Sequence, residues 1–150
     1  MRTDERWVVD ASVALKWYLQ DEDHIEEAAL LYEAFAAGSA ELVAPHYIRY
    51  EVMNALEVAR LQGRISAEEV HEALTSFLGT RIHIDEDSPD LLRGAVDTTR
   101  RYGVVPYDGL YLALAEETGS LFVTADARLY RRIEDQVRYA RWIGHVASLL

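Results

Sequence analysis

"LFVTAD", residues 121–126, runs from apolar and β-branched residues through alanine onto a bare carboxylate. A run this short and this apolar reads as a buried strand, and burial alone gives a strand no reason to stop on an acid. "WVVDAS", residues 7–12, repeats the arrangement, with Val8 and Val9 leading straight into Asp10. Two apolar strands, each ending in an aspartate, set the frame for reading the rest of the chain.

Outward from these runs, helical periodicity and its punctuation alternate with strands. The strand at Trp7 to Val9 leads into a short helix near Ser12, and a second helix covers His24 to Ala37 and ends at Gly38. "ELVA" is a strand stopping at Pro45, followed by a long helix from His46 to Gln62 with Gly63 past its end. Ser66 with Glu69 three residues on forms a capping box, and Gly79 closes that helix. "RIHI" is the next strand, and "SPDLLRGAVDTTRRY" a helix with proline in its first turn, terminated by Gly103. "GLYLALAEET" is a helix ending at Gly119, just before "LFVT"; a basic helix over Arg128 to Glu134 and a last strand, "VRYARWI", complete the plan.

Short apolar strands separated by helices fit a parallel sheet covered on both faces. The expectation is an α/β fold: a single three-layer α/β/α domain over residues 1–150, with a central parallel sheet of four to five short strands. In such sheets ligands bind outside the carboxyl ends of the strands. If the two aspartate-ended strands are neighbours, Asp10 and Asp126 converge at one rim.

Composition sets further limits. A chain of 150 residues can bury roughly 70% of the surface it exposes unfolded, so it needs no disulfide. It has no cysteine, which removes thiolate metal sites and thiol nucleophiles. The first apolar run is broken by Asp10 and Lys16 and follows the acidic start "RTDER", unlike a signal peptide or a membrane span; a cytoplasmic protein is expected. The net charge of −11 is unfavourable for a nucleic-acid binder, but it is concentrated. Residues 21–41 carry seven acids and no lysine or arginine, and residues 65–90 carry seven acids and one arginine. Elsewhere arginines recur at 93, 100, 101, 128, 131, 132, 138 and 141, either as solvated helix faces or as a rim that contacts phosphates.

Four acids are candidates for chemistry. Asp10 and Asp126 each precede a helix, and Asp108 follows Pro106 at a helix start, so each also suits a cap or a first turn. Glu51 is different. At roughly 100° per residue it lies within about 60° of Tyr47, Ile48, Ala55 and Val58, on the apolar face of its helix. A carboxylate facing a core is costly unless it is paired or bound to a cation. Asn54, one turn after Glu51, and the hydroxyls of Ser12 and Thr124, each two residues from an aspartate, could orient such a group. Four carboxylates at one rim repel one another unless a cation is present, and an oxygen-only cluster suits Mg²⁺ or Mn²⁺.

Other chemistries find little support. The histidines at 24, 46, 71, 83 and 145 lack zinc-hydrolase spacing. No P-loop, dinucleotide fingerprint or nucleophile elbow is present. A haloacid-dehalogenase-type phosphatase would need a second acid where Ser12 stands and a late lysine; a receiver domain needs that lysine too, and Lys16 is the only lysine.

"VVDASVALKW", "PHYIRYEVMNAL", "PYDGLYLALAEETG" and "FVTADARL", in that order across nearly the whole chain, resemble the four signature segments of the PIN domain in the form found in VapC-type toxins. The resemblance implies a Mg²⁺- or Mn²⁺-dependent ribonuclease in which Asp10, Asp108 and Asp126 bind metal and Glu51 holds or activates a water. It puts Ser12, Thr124 and Asn54 in supporting positions. It also implies an antitoxin partner and a homodimer. Gly109 stands where the family more often has alanine, which would loosen the start of that helix. The alternatives within the same resemblance are a free-standing nuclease of RNA maturation and an inactive RNA-binding module.

Overall fold

The computed structural model describes residues 6–150; residues 1–5, which include most of the acidic start, lie outside the described residues. Five parallel strands form one sheet, β1 (Arg6–Val9), β2 (Glu41–Pro45), β3 (His83–Asp85), β4 (Leu121–Thr124) and β5 (Ala140–Trp142), in the order β3-β2-β1-β4-β5. Helices flank it: α1 (Ala11–Ala14), α2 (Ile25–Ala36), α3 (Ile48–Leu61), α4 (Ala67–Leu78), α5 (Pro89–Tyr102), α6 (Pro106–Thr118) and α7 (Ala127–Ile133). This is the expected three-layer α/β/α arrangement. No helix of the described residues is long and apolar enough to cross a membrane.

The strand order explains where a site must lie. The chain builds outward from β1 through β2 to β3, then returns to the other side of β1 with β4 and β5. The direction of winding therefore reverses between β1 and β4, and loops leaving the carboxyl ends of these two strands diverge to opposite faces, opening a crevice. Trp7, Val8 and Val9 pair in parallel with Leu121, Phe122 and Val123, so one further step places Asp10 beside Thr124. The inner strands are buried on both faces, which is why their sequences are runs rather than alternations.

Helix α6 carries the core. Gly109 to Ala115 are all buried, because this middle stretch of the helix lies between the sheet and α5 and has no solvent face. It begins at Pro106, three residues before the expected Gly109. Proline suits the first turn, where its missing N–H has no intrahelical acceptor, and this draws Asp108 into the first turn. Gly109 does not loosen the start. A Cβ there would stand 2.7 Å from the Ala95 carbonyl oxygen and 2.3 Å from Thr99 Oγ1, and Thr98 Oγ1 donates to the Gly109 carbonyl at 2.6 Å. The missing side chain lets α5 and α6 touch backbone to backbone.

The capping box at Ser66 and Glu69 is present in both directions at 3.1 Å. The last strand is shorter than "VRYARWI". Arg141 Nη1 donates to the carbonyls of Arg138 and Ala140 at 2.7 and 2.9 Å, closing a turn before β5. After Trp142 the chain winds as a 3₁₀ helix over Ile143–Ser148. Ile143 and Val146, both buried, have the three-residue spacing that aligns on one side of such a helix.

Candidate active site

Asp10 leaves the end of β1 and caps α1, its Oδ1 accepting from the Val13 amide at 3.2 Å. The same oxygen accepts from Ser12 Oγ at 2.5 Å, and Oδ2 accepts from Thr124 Oγ1 at 2.6 Å across the β1–β4 boundary. Ser12 Oγ also accepts from the Ala125 amide at 2.9 Å, and Thr124 Oγ1 from the Asp126 amide at 3.0 Å. Two hydroxyls thus fasten the buried Asp10 carboxylate to the backbone that carries Asp126. Parallel pairing sets this up: equivalent ends of adjacent strands lie side by side, so short polar side chains suffice to cross the gap.

Asp126 caps α7, its Oδ1 accepting from the Arg128 and Leu129 amides at 3.0 and 3.1 Å, and it is exposed. The capping and site roles considered for Asp10 and Asp126 are compatible, since Asp10 keeps Oδ2 in the hydroxyl network and Asp126 has an oxygen left over from the cap. Asp108 sits in the first turn of α6 and is partly buried. Glu51, in the first turn of α3, is also partly buried.

Glu51 marks the edge of the apolar stripe, whose centre is Ile48, Val52, Leu56 and Ala59. Val58, expected on that face, is 40% exposed. The side chain that meets Glu51 is Tyr111, buried within α6, whose hydroxyl donates to Oε1 at 2.5 Å. Asn54 is exposed on α3. Sequence reading passes over Tyr111 because "LYLALA" looks like uninterrupted core. The available signal is its place three residues after Asp108, on the same side of the helix.

The acids feel one another. Burial pushes Asp10 up to about 6, against the hydrogen bonds from Ser12, Thr124 and Val13, and the charge of Asp108 adds to the rise. Burial pushes Glu51 up to about 7, opposed by the Tyr111 hydrogen bond and reinforced by Asp10 and Asp108. Asp108 rises to about 6 through burial and then the charge of Asp126. The structure therefore brings Asp10, Glu51, Asp108 and Asp126 within electrostatic reach at the β1–β4 crevice, with Ser12 and Thr124 between two of them.

No lysine or arginine among the described residues forms an ion pair with any of the four. The cluster is short of positive charge, and its donors are all oxygen, which fits a hard divalent cation. As the side chains stand, no three carboxylate or histidine groups among the described residues are close enough to enclose an ion. That still suits magnesium, which keeps several waters and takes only one or two carboxylates directly. Of the expected basic rim, Arg93 and Arg101 are paired with Asp90 and Glu116, whereas Arg128, Arg131 and Arg132 are exposed on α7 just beyond Asp126.

A curated relative, Ribonuclease VapC3 of Pyrobaculum aerophilum, is 28% identical over 126 residues, covering 81% of this chain and 90% of that protein. The crystal structure of PAE2754 from Pyrobaculum aerophilum superposes with a TM-score of 0.69 at 24% identity, over 96% of this chain and 85% of that one. VapBC2 from Rickettsia felis, solved bound to a DNA fragment from its promoter, gives 0.65 at 13% identity, over 91% and 98%. Residues 7–135 match the PIN domain family. That span contains all four acids, and the chain belongs to the PIN domain family.

Proposed function

We propose that this chain is a metal-dependent endoribonuclease that hydrolyses RNA phosphodiester bonds, and the toxin of a toxin–antitoxin pair. One observation carries the reading: three acids raised by burial and mutual repulsion, with no lysine or arginine paired to them among the described residues, lie with a fourth at the switch point of the sheet. The ribonuclease name of the curated relative and the toxin–antitoxin complexes among the structural neighbours support it.

Asp10, Asp108 and Asp126 are the proposed ligands, direct or through water, of Mg²⁺ or Mn²⁺, which when bound would lower the pKa of a water and offset charge on the phosphodiester. Ser12 and Thr124 hold both Asp10 oxygens in place, as groups behind a ligand do. Glu51, steadied by Tyr111, accepts the proton of the attacking water; Asn54 stands one turn further along α3 as an outer polar contact. No side chain attacks phosphorus. The proposed compartment is the cytoplasm, where cellular RNA is available to it.

The proposed antitoxin is a protein partner with an amphipathic segment. A cavity of about 340 Å³, with Trp17, Tyr18 and Tyr32 on its apolar wall and Lys16, Gln20 and Glu33 on its polar one, suits such a segment. A homodimer is proposed as well, covering Met53, Val58 and Leu61, which are exposed on α3.

The test is cleavage of a mixed cellular RNA pool by purified protein with Mg²⁺, Mn²⁺ or EDTA, beside Asp10→Asn and Asp126→Asn. Cutting that requires metal and is lost in both variants is expected. Cutting that survives EDTA, or none by folded wild type free of any partner, would overturn the proposal.

A further inference from the structure

Tyr47 and Tyr107 stack face to face beside the acids, with ring centroids 4.3 Å apart and planes 5° from parallel. Tyr47 directly precedes α3, one turn before Glu51, and Tyr107 directly precedes Asp108. The pair therefore ties together the two helix starts that bear these acids. The Tyr47 hydroxyl is pushed up by burial and then by the charges of Glu51, Tyr107 and Asp108, so it lies within the field of the site. Tyr107 is 58% exposed. One of its faces is taken by Tyr47, and the ring is held in orientation without being covered. Tyr50, 53% exposed, packs edge-on against Tyr47 at 6.5 Å, and His46 against Tyr50 at 5.4 Å.

We propose that the free face of Tyr107 is a stacking subsite for an unpaired nucleobase next to the scissile phosphate. The inference rests on the nuclease reading and adds to it a residue that contacts a base. Aromatic rings bind single strands because every base has a π-face, and such stacking needs no positive charge. That matters in a chain of net charge −11, where Arg93 and Arg101 are already paired with acids and the exposed arginines near the site are those of α7. Prior stacking on Tyr47 fixes the ring before the base arrives, which reduces the ordering cost of binding. A base inside a duplex has both faces covered by its neighbours and cannot add to this stack.

Full-length Asp126→Asn protein, which should bind RNA without cutting it, is titrated with short single-stranded RNAs carrying 2-aminopurine at successive positions, alone and with Tyr107→Ala, Tyr107→Leu or Tyr107→Phe added. In parallel, kcat and KM for a single-stranded substrate are measured with the Tyr107 variants in the otherwise wild-type chain. Quenching at one position is expected, lost with alanine and leucine and restored by phenylalanine. KM should rise about tenfold or more with alanine and leucine, with kcat within about twofold. Equal performance of leucine and phenylalanine, unchanged KM with alanine, or equal affinity for duplex RNA would overturn the subsite. So would loss of antitoxin binding with RNA quenching intact, which would assign the ring to a protein partner. Failure of wild type to cut any RNA would sink the nuclease reading instead, and the quenching still reports on the stack alone.

Discussion

Thr124 shows how much one hydroxyl can hold. Fully buried at the end of β4, it donates to Asp10 and accepts from the Asp126 amide. Thr124→Val keeps the shape and leaves both partners unsatisfied, so a loss of about 1–3 kcal/mol is expected by denaturant unfolding. Metal affinity, read by calorimetry, should fall roughly 10- to 100-fold. Asp108 tests the electrostatics. Its folded pKa lies above its unfolded value, so the stability it contributes is present below about pH 4 and is lost as pH rises through about 6. Without metal, Asp108→Asn should melt like wild type near pH 4 and above it at pH 7.5. The difference is about 1 kcal/mol once solvent screening of a half-exposed group is discounted. Tyr111→Phe removes a hydrogen bond that lowers the Glu51 pKa, so the acidic limb of the kcat/KM profile should move to higher pH. Asp10, Asp108 and Asp126 are legible in the chain because they sit at strand ends and helix starts; Tyr111 is not, because its partner lies 60 positions away.

Helices α5 and α6 show why element boundaries were partly legible. Pro106 and Gly119 bracket α6, and the proline, not the first apolar residue, sets its start. Gly109 looks like a weak helix residue in isolation and is a contact residue in the fold. Gly109→Ala must move the Ala95 carbonyl or the helix itself, and overpacking of this kind costs about 1–3 kcal/mol. Thermal unfolding should show the loss, and an unchanged melting temperature would mean that the two helices are not in backbone contact. In helix α3 the buried stripe is turned away from the expected face: Val58 faces solvent, and Glu51 lies at the border of the core. Periodicity shows that a helix has an apolar stripe, but where several apolar residues compete, the neighbouring elements decide which of them face inward.

Across the fold, the acidic crevice links metal, pH and stability. Because Asp10 and Asp108 rise to about 6, added Mg²⁺ or Mn²⁺ should raise the melting temperature at pH 8 and do little at pH 5, where these two proposed ligands hold protons. A metal-induced rise of equal size at both values would place the ion elsewhere. The apolar runs, their punctuation and the missing cysteines already specify a parallel α/β sheet with acids at its carboxyl edge, since hydrophobic burial and helix capping act over a few residues. Which strands are neighbours is a long-range matter. Pairing of β1 with β4 brings Asp10 to Thr124, the approach of the first turn of α3 to α6 brings Glu51 to Tyr111, and the stacking of Tyr47 on Tyr107 follows from the same approach. Contacts between residues 60 or more than 100 positions apart depend on how layers pack, and no local pattern encodes that.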